Sequence, residues 1–205
     1  LPGMSLTMHS FRPQAPPGRS QDAAPADLEL LRGMARQDRA AFEQLYTRYH
    51  LRLTRFLMRL TDNYGTAEEV VNDTMFVVWQ KAATFREGSA VSTWIIGIAY
   101  RRALKTLKQG DAARRNELSE NELPVFDGAF GEEMSRDQRD WVLAGFAQLS
   151  LEHRMALLLT YYMGHSCEEI AAIADCPVNT VKTRLFPARA RLRTLLPTLA
   201  DPTPA

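Results

Sequence analysis

Three groups of side chains in this sequence have the types and spacing to do chemistry. The first is TVKTRLFPARARLR, Thr180 to Arg193, with five cationic residues at helical spacing. An arginine fork can bond two acceptors on a guanine edge, and lysine or threonine reaches phosphate oxygens. Val181, Leu185, Ala188, Leu192 and Leu195 form an apolar stripe, which leaves Thr180, Lys182, Thr183, Arg184, Arg189 and Arg191 facing outward. The second group is a basic row, Arg101, Lys105 and Lys108 beside Arg102, suited to following a phosphate backbone. The third lies in AEEVVNDTMFVVWQKA, where Glu69, Asn72, Asp73, Phe76 and Gln80 fall on one side and Val70, Val71, Thr74 and Val78 on the other. That pattern is either a docking surface carrying an aromatic ring or a solvated face with Phe76 folded into the core.

Covalent and metal chemistry find less support. Ser166 in GHSCE has the outline of a nucleophile elbow, but Glu168 stands where the second glycine belongs and no strand pattern precedes it. With Glu169 three residues on, Ser166 reads as one half of a helix capping box. Cys167 and Cys176 are the only cysteines and lack a CxxC spacing; with His165 they fall short of a four-ligand set. No paired carboxylates and no phosphate-cradling glycine loop complete an active site. The expectation is a protein without catalytic residues, metal or cofactor.

The elements that position these groups are helical throughout. Ser166 opens a short helix ending near Ala174, the turn DCPVN follows, and the basic helix runs from about 178 to 195: a helix-turn-helix whose second member enters a major groove. Pro187 lacks the amide that would bond the Thr183 carbonyl. A bend is predicted there, with base reading confined to Lys182, Thr183 and Arg184 and with Arg189 and Arg191 on phosphate. Nearer the N-terminus, Asp38 caps a helix with Phe42, Leu45, Tyr46, Tyr49, Leu53, Phe56, Leu57 and Leu60 on one stripe, and Thr66 with Glu69 is expected to cap the next. A helix from about 92 to 108 packs through Trp94, Ile95, Ile98 and Ala99. The loop before it, Phe85, Arg86, Glu87, Gly88 and Ser89, has the makings of a receptor for an unstacked base. Further helices are expected over 135–148 and over 151–163, the latter capped by Ser150 and ended by Gly164.

Organisation follows from composition. The chain has 205 residues, 45% of them hydrophobic, enough for real cores. Residues 1–25 contain five prolines and read as a disordered tail, and residues 197–205 form a C-terminal tail. Residues 109–134, QGDAARRNELSENELPVFDGAFGEEM, are polar, acidic and broken by glycine and proline. The predicted fold class is all-α: two small helical domains, 26–108 and 135–196, on a flexible acidic linker. The formal net charge of +1 conceals segregation, with +5 over residues 97–115, −6 over 116–140 and +4 over 177–205. Two basic segments are either two nucleic-acid contacts or two solvated helix faces. No apolar run approaches a membrane span and no secretion signal is evident, so a cytoplasmic protein is expected.

Taken together, the segments resemble an extracytoplasmic-function (ECF) RNA polymerase sigma factor, group 4 of the sigma-70 family. AEEVVNDTMFVVWQKA resembles the core-polymerase-binding segment of region 2, and FREGSAVSTWIIGIAYRRALKTLK its promoter-opening and −10-reading segment. LSLEHRMALLLTYYMGHSCEEIAAIADCPVNTVKTRLFPARARLR resembles region 4, the −35 reader. The resemblance implies a polymerase contact through Glu68, Glu69, Asn72, Asp73, Phe76 and Gln80. It implies −10 contacts through Phe85, Arg86, Ser89, Ser92, Trp94, Arg101, Arg102, Lys105 and Lys108, and −35 contacts through Asn179, Thr180, Lys182, Thr183, Arg184, Arg189 and Arg191. The partners implied are core RNA polymerase, promoter DNA and an anti-sigma factor. The alternative is an operator-binding helix-turn-helix regulator with residues 27–108 as a sensor.

Overall fold

The computed structural model describes residues 23–61, 63–116 and 144–200, and these are helical with no strand among them. The helices are α1 (Ala23–Ala35), α2 (Arg39–Leu57), α3 (Tyr64–Lys81), α4 (Val91–Asn116), α5 (Leu151–Leu157), α6 (Cys167–Ala174) and α7 (Val178–Ala200). A 3-10 turn, Ala82–Thr84, follows α3, and α5 widens into a π turn over Leu158–Tyr162. Residues 144–147 are also helical. The remainder of the helix expected over 135–148, and most of the linker and both tails, lie outside the described residues.

Helix starts follow side-chain chemistry. Asp38 caps α2 by accepting from the amides of Ala40 and Ala41 at 2.9 and 3.3 Å, worth about 1 kcal/mol. The stripe behind it, Leu45, Tyr49, Leu53, Phe56 and Leu57, is buried. At α3 the cap is Asn63, whose Oδ1 accepts from the amide of Thr66 at 2.9 Å. Thr66 therefore stands inside the first turn and not at the cap. Two helices also overrun their expected ends. Gly110 does not stop α4, because Ala112, Ala113, Arg114 and Arg115 are good helix formers that offset the roughly 1 kcal/mol a glycine costs. Helix α7 continues to Ala200 instead of yielding a tail at 197.

A buried carboxylate fastens α1 to α2. Asp27 is 4% exposed, accepts the Tyr49 hydroxyl at 2.6 Å and pairs with Arg48. Burial and this bond push the Tyr49 phenol far above its ordinary pKa.

Helix α4 sits at the centre. Six consecutive residues, Ile95, Ile96, Gly97, Ile98, Ala99 and Tyr100, are buried, and six residues at 100° steps cover every side of a helix. One side packs on α3 and another on α6. A Cβ built on Gly97 would lie 3.6 Å from the Cα of Ile173, so the two backbones come close there. The helix-turn-helix domain thus rests directly on the first domain.

Replacing Asp27 by alanine strands the Tyr49 hydroxyl and frees α1. We expect a loss of roughly 2–3 kcal/mol in unfolding free energy by denaturant titration, with the helical content of the remaining fold kept.

Candidate nucleic-acid interface

The helix-turn-helix is built by local bonds. The Ser166 hydroxyl accepts from the amide of Glu169 at 3.2 Å, and the Glu169 carboxylate accepts from the amide of Ser166 at 2.8 Å. That reciprocal cap occupies Ser166 and accounts for its place in GHSCE. Asp175, in the left-handed region at φ 51°, ends α6, and the amide of Cys176 returns to the Ala171 carbonyl at 3.0 Å. The Pro177 carbonyl then accepts from Thr180 at 2.9 Å and opens α7. Cys167 and Cys176 are half-buried free thiols.

Along α7, Val181, Leu185 and Ala188 are buried as the stripe requires, and Leu192 is half-buried; the side chain of Leu195 lies outside the described residues. Asn179, Lys182, Thr183, Arg189 and Arg191 are exposed. Thr180 and Arg184, expected to face outward, are half-buried. Arg184 borders the inner stripe, and its Nη1 lies 3.4 Å from the Tyr100 hydroxyl of α4 and 4.0 Å from Cys176 Sγ. Burial raises the pKa of the Tyr100 phenol against the opposing influence of Arg184, so the hydroxyl keeps its proton at neutral pH. Pro187 sits exposed within a helix that continues past it. Beside it, Phe186 is 78% exposed, amid Lys182, Thr183 and Arg189 by helical spacing. The sequence signal for Phe186 is an aromatic residue out of phase with the apolar stripe.

The basic row lies on the middle turns of α4. Arg101, Lys105 and Lys108 are exposed and Arg102 is half-buried. Arg101 Nη1 lies 3.5 Å from the Ile173 carbonyl, and Arg102 Nη1 lies 3.5 Å from Asp73 Oδ2. Lys108 Nζ is 2.6 Å from Glu152 Oε1 and holds that carboxyl below its ordinary pKa. In the preceding loop Phe85 packs on Trp94 with ring centroids 5.2 Å apart and planes at 52°. Arg86 and Ser89 are exposed, and Ser92 is half-buried. Glu87, at φ 52°, ties the loop to α1 through Arg32 at 2.8 Å.

On α3, Glu69, Asn72, Asp73 and Gln80 are exposed, and Phe76 points outward at 59% exposure. Phe76 borders a groove of about 560 Å³ whose wall includes Phe42, Tyr46, Asn72, Met75 and Trp79. Tyr46 donates to Asn72 at 2.9 Å, and Phe42 meets Trp79 edge to face at 5.3 Å. Glu68 turns the other way. One of its oxygens lies 3.0 Å from His50 Nε2 and the other accepts from Thr54 at 3.0 Å. Burial opposes ionisation of this carboxyl, but the two bonds outweigh it and lower the pKa.

A contact outside all three groups joins the domains. Arg59, 7% exposed after the end of α2, has its guanidinium 3.5 Å from the centroid of the Tyr162 ring, which the π turn presents. Its partners are 103 positions apart, so no local pattern points to it.

An all-α build with a helix-turn-helix in the second of two packed domains defines a helix-turn-helix protein of two-domain type. Residues 45–113 match Sigma-70 region 2 and residues 139–192 match Sigma-70, region 4. The chain is 33% identical over 172 residues to the ECF RNA polymerase sigma factor SigM of Mycobacterium tuberculosis, covering 83% of this chain and 85% of that one. It is 28% identical over 190 residues to the RNA polymerase sigma-H factor of Pseudomonas aeruginosa, covering 85% and 96%. Among solved structures, the sigma factor RpoE of Bartonella quintana in complex with the anti-sigma factor NepR superposes with a TM-score of 0.62 at 25% identity, covering 76% of this chain and 96% of that one. The chain belongs to the ECF family of RNA polymerase sigma factors, and its function is to direct transcription initiation.

Pro187 removes an amide from the middle of α7 while its ring gains little packing. Pro187→Ala should raise stability by roughly 1–3 kcal/mol, together with helicity, in denaturant titrations followed by circular dichroism.

Proposed function

We propose that the chain docks on core RNA polymerase through the outward face of α3, using Glu69, Asn72, Asp73, Phe76 and Gln80, with Glu68 bracing that face from behind. The loop from Phe85 to Ser92 and the row Arg101, Arg102, Lys105 and Lys108 then take the −10 region, and α7 takes the −35 element. The observation that supports this most is the adjacency of α3 and α4: the contact between Asp73 and Arg102 at 3.5 Å joins the docking face to the basic row. Polymerase bound on α3 is thereby set beside the DNA that α4 holds. Residues 26–108 and 135–196 act as two promoter contacts, and the 109–134 segment tethers them and raises their effective concentration for each other.

The protein carries out no covalent step of its own and works in the cytoplasm, where the polymerase is. No described helix is long and apolar enough to cross a membrane. RpoE was solved bound to an anti-sigma factor, and this supports a partner of the same kind here. A dimeric operator-binding regulator would leave the exposed Phe76 groove without a role.

Run-off transcription with purified core polymerase tests the reading. The wild-type chain should support promoter-specific transcripts that core alone does not make. Charge reversal at the exposed Glu69, Glu69→Lys, should weaken core binding about tenfold, roughly 1.4 kcal/mol, with an unchanged thermal midpoint. Unaltered affinity would remove α3 as the docking face.

A further inference from the structure

We propose that Tyr161 is a positioning residue for the −35 contact: its ring holds the Arg189 guanidinium where a phosphate of the promoter duplex meets it. The inference rests on the role proposed above for α7. Arg189 Cζ lies over the Tyr161 ring, 5.3 Å from its centroid. That is within the reach of a cation–π attraction, and a planar, weakly hydrated guanidinium stacks readily on such a face.

Two features of the second domain fix this contact in place. The first is the π turn. The amide of Met163 donates to the Leu158 carbonyl at 2.9 Å and that of His165 to the Leu159 carbonyl at 2.9 Å. The turn after α5 therefore carries more residues than an α-helical turn, and its side chains are re-aimed. Leu158 and Leu159 anchor it at 3% and 0% exposure, while Tyr161 is half-buried. The second feature is α7 itself. Helix α5 packs on α7, and Ala188, next to Arg189, is fully buried. Backbone is thus held on both sides of the contact, under the ring and under the cation.

The chemistry of the partner matters as much as its place. Arg102 and Lys108 face carboxylates, which neutralise a cation and must be displaced by phosphate. An aromatic face orders the side chain but accepts none of its strong hydrogen bonds, so the guanidinium keeps its charge and its donors for an incoming oxygen. Arg189 is exposed, and by helical spacing it shares a ridge with Lys182 and Phe186, which are exposed too. Side-chain order that exists before binding is not lost on binding, which is what a positioning residue contributes.

The test uses holoenzyme assembled from core polymerase and the full-length chain, and a duplex of a promoter that gives a run-off transcript. Affinity is measured by fluorescence anisotropy over a range of salt, with core affinity and thermal midpoint measured alongside. Arg189→Ala should flatten the dependence of log K on log salt by about one, the mark of a lost phosphate contact. Tyr161→Leu should weaken duplex binding roughly two- to fivefold, the size of an exposed cation–π contact. Tyr161→Phe, which keeps the ring, should bind as the parent does. In the Arg189→Ala background, Tyr161→Leu should have no further effect. A second series replaces Tyr161 by phenylalanine analogues carrying successive fluorines, which keep the shape of the ring while draining negative charge from its face. Affinity should fall stepwise with fluorine number in the parent and stay level in Arg189→Ala.

A Tyr161→Leu loss that persists undiminished in Arg189→Ala, or a fluorinated series that stays level in the parent, overturns the inference and leaves the sigma-factor reading standing. So does unchanged affinity in Tyr161→Leu. If Tyr161→Leu does not fold, the fluorinated series decides. An Arg189→Ala holoenzyme with the parent's affinity and salt slope removes Arg189 from the −35 contact. The role of that residue then falls together with this inference, while a run-off transcript from the parent keeps the wider reading.

Discussion

The burial of α4 on all sides is the constraint from which the rest of the architecture follows. A helix apolar around its whole circumference needs neighbours in every direction, and the first domain provides them on only part of it. The remaining side, where Gly97 and Tyr100 lie, is covered by α6. Glycine at 97 costs helix propensity, about 1 kcal/mol relative to alanine, but it allows backbone-to-backbone approach. Farther along the same helix the surface turns cationic, with Arg101, Arg102, Lys105 and Lys108 in succession. One element thus joins the first domain's core, the domain interface and the basic row.

Other contacts at the same boundary add little net stability to this packing. Arg59 loses hydration beneath Tyr162, and that burial lowers its pKa despite the favourable ring contact. A desolvated cation on an aromatic face gains about 2 kcal/mol, whereas removing an ion from water costs several. The cost exceeds the gain, so Arg59 selects the orientation of the domains more than it glues them. Lys108 and Glu152 behave alike: both are partly exposed, so their pairing is screened by salt and worth little in net stability. The pair also has a defined pH range. Because the Glu152 carboxyl is held below its ordinary pKa, its contribution is complete above that ordinary value and fades as pH falls through the lowered one.

Much of the local architecture was legible because the signals are local. Asp38 before α2, the Ser166 and Glu169 box and the stripes of α2 and α7 each depend on residues within a few turns of one another, and each of these helices starts where those patterns placed it. The failures have equally specific causes. Asn63 and Thr66 both suit a cap, and Asn63 prevailed because its amide oxygen reaches the Thr66 amide while Thr66 continues the helix. The end of α4 was misplaced because Gly110 was read as a stop, although the alanines and arginines after it favour helix. Phe76 was ambiguous in one dimension, since its neighbours Val77 and Val78 both turn inward; only the packing of α3 put the ring outside. Glu68 and Arg184 carry the right charge in the right helix, yet their surroundings come from α2 and α4, which spacing along their own helices cannot reveal. The Arg59 and Tyr162 pair needed the whole fold, because its ring is presented by a π turn for which the sequence offers no clear cue.

The two faces of the first domain also differ in how readily they can change partners. On α3, Asn72 is held by Tyr46 and the groove wall by the Phe42 and Trp79 rings, so this face is already formed in the free chain. Little ordering entropy remains to be lost there, which favours tight docking. On α4 and α7, Arg101, Arg102, Lys108 and Arg184 already have protein partners, and each of these four would exchange a long contact or a screened ion pair for phosphate. That exchange involves groups of similar polarity and costs little in desolvation, so its balance is set by how many phosphates are offered at once and by the ionic strength. On the proposed roles, a preformed face on α3 next to readily exchanged cations would make polymerase binding the step that discriminates between partners and DNA engagement the step that responds to conditions. Asp73 and Arg102, one from each face, lie 3.5 Å apart.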